Sequence, residues 1–182
     1  MNTIDDAQRA PRVLVAFASR HGSTEAIARE IAGRLQAGGC APTTRSAELV
    51  EDPAAFDAYV VGSAVYMGRW MPAARDFVTR NQRVLMTKPV WLFSSGPVGS
   101  PARPETGPND GAVALAEVRA IEHRVLPGRL DHSVLSFPER IAVQVVGAPD
   151  GDFRDWAAIH GWADTIAAEL LRRLAGTPRV GV

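Results

Sequence analysis

Between Arg12 and Leu35 the chain passes through three textures. An unbroken apolar run, Val13-Leu14-Val15-Ala16-Phe17, gives way to a polar turn, Ser19-Arg20-His21-Gly22-Ser23-Thr24. A segment with Ile27, Ile31 and Leu35 four residues apart then follows. A strand apolar at every position, rather than at alternate ones, is the pattern of a parallel strand covered by helices on both faces. The four-residue spacing predicts an amphipathic helix, and Gly38-Gly39 supply its stop.

The same alternation continues downstream. Thr43 to Ser46 reads as a short polar strand suited to a sheet edge, and Tyr59-Val60-Val61-Gly62-Ser63 as a third strand. Ala64 to Met71 is expected as a loop, with Pro72 opening a helix to Gln82 that turns Ala74, Phe77 and Val78 inward. Val90-Trp91-Leu92-Phe93 forms a fourth strand ending at Ser94-Ser95, and a long loop rich in Pro and Gly, Gly96 to Gly111, follows it. A loop of that length in a compact domain is usually either functional or disordered. Ala112 to Glu122 is expected as a helix, and Val125 to Leu130 as a fifth strand broken by Pro127-Gly128.

Ser136 to Val146 carries two signals. Ser136 and Pro138 favour a helix start, Ile141, Val143, Val145 and Val146 favour a strand, and a helix is the expectation. From Phe153 a last helix places Trp156, Ile159, Ala163, Ile166, Leu170 and Leu174 on one face. Trp156 and Trp162 are therefore expected as core anchors. Residues 1–11 read as a loose tail, 12–175 as one domain, and 176–182 as a frayed end.

Strands alternating with helices predict an α/β fold with right-handed crossovers. Five parallel strands fit a three-layer sandwich in the order 2-1-3-4-5, with a ligand beyond the strand ends where strands one and three diverge. Three loops should converge there: Ser19–Thr24, Ala64–Arg69 and Ser94–Pro97.

The first of these loops opens onto a helix N-terminus, where unpaired N–H groups and the helix dipole favour an anion. Ser19, Ser23 and Thr24 can add hydroxyl donors, so the corner suits a phosphate. The competing reading is a plain strand-to-helix turn whose hydroxyls cap the helix. The turn is not a Walker loop, since no Lys follows the Gly at the required spacing. With one of three glycines it is not the dinucleotide fingerprint either.

Composition narrows the classes. Twenty basic and twenty acidic residues cancel, which argues against a nucleic-acid binder and against a carrier steered by a field of one sign. A single cysteine, Cys40, cannot form an internal disulfide and fits a reducing cytoplasm. No apolar run approaches the ~20 residues of a membrane span, and the first eleven residues lack the pattern of a secretory signal. A cytoplasmic location is the expectation. The four histidines show no paired ligand spacing, so no metal site is expected. Ser94 and Ser95 form no Gly-x-Ser-x-Gly elbow.

The chain resembles the flavodoxin family, whose phosphate loop reads Thr/Ser-x-Thr-Gly-x-Thr. Ser19, Gly22 and Thr24 fall in register with it, His21 replaces the usual hydroxyl, and Arg20 adds a cation. It looks more closely like the flavodoxin-type menaquinone-dependent protoporphyrinogen dehydrogenases. The resemblance rests on Phe17-Ala18-Ser19-Arg20-His21-Gly22-Ser23-Thr24, Val61-Gly62-Ser63-Ala64-Val65-Tyr66-Met67-Gly68, Ala102-Arg103-Pro104-Glu105 and Asp155-Trp156. An insertion between the fifth strand and last helix, His132 to Asp152, is shorter and less basic and aromatic than that family's.

The resemblance implies a flavodoxin-like fold and an FMN cofactor held by Ser19, Arg20, His21, Gly22, Ser23 and Thr24. It adds Ala64, Val65, Tyr66, Met67 and Gly68 from the second loop, and Ser94, Ser95 and Gly96 from the third. Arg20 and His21 stand either beside the phosphate or as exposed turn residues. Tyr66 is the better candidate to stack on the isoalloxazine; Trp70 is equally a flavin neighbour or core filler. The third loop, Ser94-Ser95-Gly96-Pro97-Val98, carries no ring, so a planar substrate could reach the flavin from that side. Arg103 is either a partner for a substrate carboxylate or a solvated loop charge.

The implied activity is an FMN-dependent oxidoreductase, of the protoporphyrinogen or quinone type, acting on a planar small molecule or quinone. The alternatives are a small electron-transfer protein with a redox protein partner, and a flavodoxin-fold binding module without FMN. No catalytic residue is assigned, and the oligomeric state stays open.

Overall fold

The structure is a computed structural model that describes residues 9–66, 68–96, 110–131, 133 and 150–175. In chain order the elements are β1 (Arg12–Ala18), α1 (Ser23–Ala37), β2 (Ala41–Ser46), β3 (Ala58–Tyr66), β4 (Arg69–Trp70) and α2 (Pro72–Leu85). They continue with β5 (Val90–Ser95), α3 (Asp110–Val118), β6 (Glu122–Leu126), β7 (Arg129–Leu130), β8 (Gly151–Asp152) and α4 (Trp156–Ala175). The main sheet runs β2-β1-β3-β5-β6 with all neighbours parallel. Apart from the β4 return this is the 2-1-3-4-5 order expected from the alternation, an α/β flavodoxin-like fold.

Strand β1 explains why the sheet needs two covers. Val13, Val15 and Phe17 face a core built with Ile27, Ile31, Leu35, Ile159, Trp162 and Ile166, on the α1/α4 side. Leu14 and Ala16 face the other core, with Phe77, Val78, Leu85 and Val118, on the α2/α3 side. Trp162 is the anchor its spacing predicts, whereas Trp156 is only partly buried and lies beneath Arg154, 4.5 Å from the guanidinium carbon to the ring centroid. Cys40 is buried, which raises its thiol pKa and leaves it unreactive at neutral pH. Among the described residues no helix is long and apolar enough to cross a membrane.

Several boundaries depart from the sequence reading, each for a tertiary reason. β3 runs on to Tyr66, so Ala64 to Tyr66 are strand rather than loop, and Arg69–Trp70 returns antiparallel to it. α2 continues three residues past Gln82 because Leu85 still falls on the buried face. α3 stops at Val118, not Glu122: Arg119 adopts φ 51°, and the Ala120 amide closes back on the Leu115 carbonyl. The fifth main strand is Glu122–Leu126, not Val125–Leu130. Its polar start is held by α4, where the Trp162 indole donates to Glu122 at 2.8 Å and Arg124 lies over the same ring. Pro127-Gly128 then turns the chain into β7, which pairs with β8 and not with the main sheet. The final helix begins at Trp156, three residues later than expected, capped by Asp155 accepting from the Ala158 amide at 2.9 Å. The tail through Gln8, most of the Gly96–Gly111 loop, the Ser136–Val146 segment and the end from Gly176 lie outside the described residues.

Asp57 ties the start of the fold together. Its carboxylate accepts both Arg9 guanidinium donors, at 2.9 and 3.0 Å, and the Arg12 amide at 2.8 Å. Burial pushes this carboxyl up, but the bonds from Arg9 and Arg12 and their charges outweigh it and hold its pKa below the ordinary 3.8. A depressed carboxyl stabilises the fold above its unfolded pKa and loses that contribution as pH falls through the folded value. Asp57→Asn should therefore cost about 1–2 kcal/mol in denaturant melts at pH 7. The gap between variant and wild type should close as the melts are taken below pH 3.8.

Candidate functional site

Because β1, β3 and β5 are parallel and in register at their ends, Ala18 opposite Ser63 and Ala64 opposite Ser95, the loops that follow them leave the same sheet edge. The first loop turns at Gly22, whose φ of 80° is left-handed, with nothing within 4 Å of where a side chain would start. Glycine is needed here for conformation, not for space. The Gly22 carbonyl accepts from the Ala26 amide at 3.0 Å and begins α1, and no side chain caps the helix. The amides of the first turn thus face the loop without an acceptor in the helix.

Two hydroxyls flank the Gly22 turn in the chain, one before it and one in the first turn of α1. Ser19 Oγ and Thr24 Oγ1 are both buried, and neither has a hydrogen-bond partner. Buried hydroxyls are ordinarily satisfied, and Thr24 is only 1% exposed. Orphan hydroxyls next to open helix amides make a donor set that fits a phosphate dianion. Ser23 is engaged differently: its Oγ accepts from the Arg129 amide at 2.9 Å, which leaves its one proton to donate. That bond pins the start of β7 to the start of α1. Gly128 sits at this junction, where a Cβ would make ordinary contact with Ser95 Oγ at 3.4 Å and Ser23 Oγ at 3.5 Å. Arg20 is exposed and His21 half-buried on the same loop.

In the second loop Ala64 is buried, Val65 half-buried and Tyr66 39% exposed. Tyr66 pairs with Arg69 and Val65 with Trp70, and Gly68 turns the hairpin at φ 76°. Met67 lies outside the described residues. Trp70, for which two readings stood, is core: it is 2% exposed, and its indole donates to Ser94 Oγ at 2.8 Å. Tyr66 is left as the described aromatic at this rim.

In the third loop Ser94 is fully buried, and its hydroxyl serves Trp70 and also His123 Nε2 at 2.8 Å. Ser95 is buried beside Gly128, and Gly96, at φ 124°, donates its amide to the Leu126 carbonyl at 3.0 Å. Arg103 lies outside the described residues. The sequence reading did not single out Ser63, Asp110, His123, Gly128 or Arg129 for this corner. The one signal available was a serine at the end of each of two neighbouring strands. Among the described residues no group of three or more His, Cys, Asp or Glu side chains could hold a metal ion.

In a doubly wound parallel sheet of this order, ligands bind beyond the strand ends at the switch point where these loops gather. The flavodoxin-domain family matches residues 14–156, and the chain belongs to that family. Flavodoxins are FMN-binding proteins, and FMN is the cofactor of the family.

Solved structures share the fold at low identity. Rubredoxin oxygen:oxidoreductase from Desulfovibrio gigas superposes with a TM-score of 0.62 at 15% identity, covering 94% of this chain and 39% of that one. The chain thus spans about two fifths of that protein's length. A flavodoxin from Streptococcus pneumonia gives 0.55 at 17% identity, covering 89% of this chain and 99% of its own. A mutant of flavodoxin from Pseudomonas aeruginosa gives 0.57 at 17%, covering 88% and 99%. No curated protein sequence matches the chain.

Proposed function

We propose that this chain is an FMN-dependent oxidoreductase of the flavodoxin type whose second substrate is a planar molecule of the porphyrinogen or quinone class. The observation that carries the cofactor half is the pair of orphan hydroxyls, Ser19 Oγ and Thr24 Oγ1, at the amino end of α1. When bound, FMN supplies the electron- and hydride-accepting ring. The residues of the chain bind and orient it. Ser19, Thr24 and the first-turn amides donate to the phosphate, Gly22 gives the backbone its turn, and Ser23 both donates and holds β7 in place. Arg20 adds positive charge on the same loop, and His21 brings a ring nitrogen to it. Ala64, Val65, Tyr66, Met67 and Gly68 line the ring from the second loop, with Tyr66 as the stacking partner. Ser94, Ser95 and Gly96 bring no aromatic side chain to the third loop, which leaves room for a flat substrate, and Arg103 would meet its carboxylate.

A flavodoxin-type electron-transfer protein with a redox protein partner is the second reading. It is favoured by the match to nearly the whole length of stand-alone flavodoxins. Anaerobic assays of the FMN-loaded protein separate the two. Steady turnover of a porphyrinogen with a quinone acceptor, without any reductase, is expected; turnover that appears only when a reductase protein is added would assign the carrier instead.

A further inference from the structure

The second loop stands on a return strand of only two residues, β4, and a hairpin that short is marginal by itself. Its position is set from below by side chains of three other elements. The Trp70 amide donates to Asp110 Oδ2 of α3 at 3.0 Å. The Met71 amide donates to Ser63 Oγ of β3 at 2.9 Å, and that hydroxyl's own proton goes to the Ala64 carbonyl at 2.8 Å. The third tether is the indole bond to Ser94 Oγ, and it does not end there.

An indole N–H only donates, and a serine hydroxyl has one proton. With Ser94 Oγ accepting from Trp70 at 2.8 Å, its proton has His123 Nε2, also at 2.8 Å, as its partner. This gives the chain a direction, from indole N–H to hydroxyl to imidazole, and it requires Nε2 bare with the ring proton on Nδ1. The opposite tautomer would aim two donors at Ser94 and leave its proton unpaired at a position with 0% exposure, losing that proton's hydration with nothing in return. The imidazole has little freedom to move away. A Cβ at Gly111 would lie 2.3 Å from its Cε1 and Nε2, so α3 presses on the ring through a glycine, and the Trp70 ring meets it edge-on at 6.2 Å.

We propose that Ser94 and His123 are positioning residues for the Tyr66 hairpin, acting through Trp70 by a one-way indole–hydroxyl–imidazole relay. Tyr66 is one rung from Trp70 on the same hairpin, Tyr66 opposite Arg69 and Val65 opposite Trp70. Its height above the sheet edge therefore follows the indole. The functional meaning rests on the FMN reading above; the relay itself does not.

The test has two arms. Long-range nitrogen–proton NMR of the full, FMN-free chain labelled with ¹⁵N reads the His123 tautomer. A protonated Nδ1 and bare Nε2 are expected, and an Nε2-protonated neutral ring would overturn the relay whether or not FMN binds. FMN affinity and the visible absorption of the bound flavin are then compared across variants. Trp70→Phe keeps the ring area and removes only the donor. It and Ser94→Ala should each weaken FMN binding about tenfold and shift the flavin band. His123→Leu should do the same, and His123→Gln, which offers an acceptor near the Nε2 position, should restore most of the loss. Wild-type affinity and spectrum in Trp70→Phe and Ser94→Ala would overturn the positioning role while the cofactor reading stands. A wild-type chain that binds no FMN would remove the cofactor reading, and the tautomer would still decide the relay.

Discussion

Replacing Ser19 and Thr24 together with alanine is expected to weaken FMN binding by about two to three orders of magnitude, since each hydroxyl would give a hydrogen bond to a charged group worth ~1.5–2 kcal/mol. The same double variant should melt, without FMN, at or above the wild-type temperature. Both oxygens are buried without a partner in the structure, so in the free chain they contribute desolvation cost and no bond. The opposed signs make the prediction specific. A pair of ordinary capping hydroxyls would show the reverse, with lower stability of the free protein and little change in cofactor affinity. Calorimetric titration and thermal melts of the same two samples distinguish the cases. Unchanged FMN affinity would return the corner to a simple strand-to-helix turn.

The largest effect on the fold is expected at Gly62. It lies in the middle strand directly opposite Phe93, whose ring covers it so closely that a Cβ would sit 2.0 Å from Cζ and 2.2 Å from Cε1. Phe93 cannot swing aside, being fully buried and edge-on to Trp162 at 6.2 Å. Gly62→Ala should cost about 3 kcal/mol or more through overpacking. Combining it with Phe93→Leu should give a protein more stable than Gly62→Ala alone, although Phe93→Leu by itself destabilises. Additive losses in urea melts would show that the close approach is not the reason for glycine at this position.

These two sites differ in how far the sequence reveals them. β1, the Gly22 turn and α1 were legible because one uninterrupted apolar run and one helical period encode them locally, and α4 was legible for the same reason. The β3–β4 hairpin was not. Ala64 to Trp70 mixes small, apolar and polar residues, and what makes it a hairpin is tethering to the adjoining Ser63 and to Ser94 and Asp110, which lie further along the chain. β6 is misplaced by its polar start: Glu122 reads as the end of the preceding helix and His123-Arg124 as a connection, until Trp162 and Ser94 supply their partners. The end of α3 was overrun because nothing in Val118-Arg119-Ala120 announces the left-handed turn at Arg119.

Within the candidate site the division is similar. Ser19, Gly22 and Thr24 follow from the spacing of a loop motif. Ser23 also stands in that loop, yet its contact with Arg129 depends on where the chain returns after β6. Ser94 stood among the cofactor contacts by its place at a strand end, and its hydroxyl is in fact committed to Trp70 and His123. A strand end gives the location of a side chain but not which way its proton points.

Cofactor binding here requires the amino end of α1 to take up a phosphate, and comparing FMN with riboflavin measures that directly, because the two differ only in that group. Titrating the intact, cofactor-free chain with each should show FMN bound at least about 100-fold more tightly, the share expected of several charge-assisted bonds. Equal affinities, or no binding of FMN at all, would contradict it.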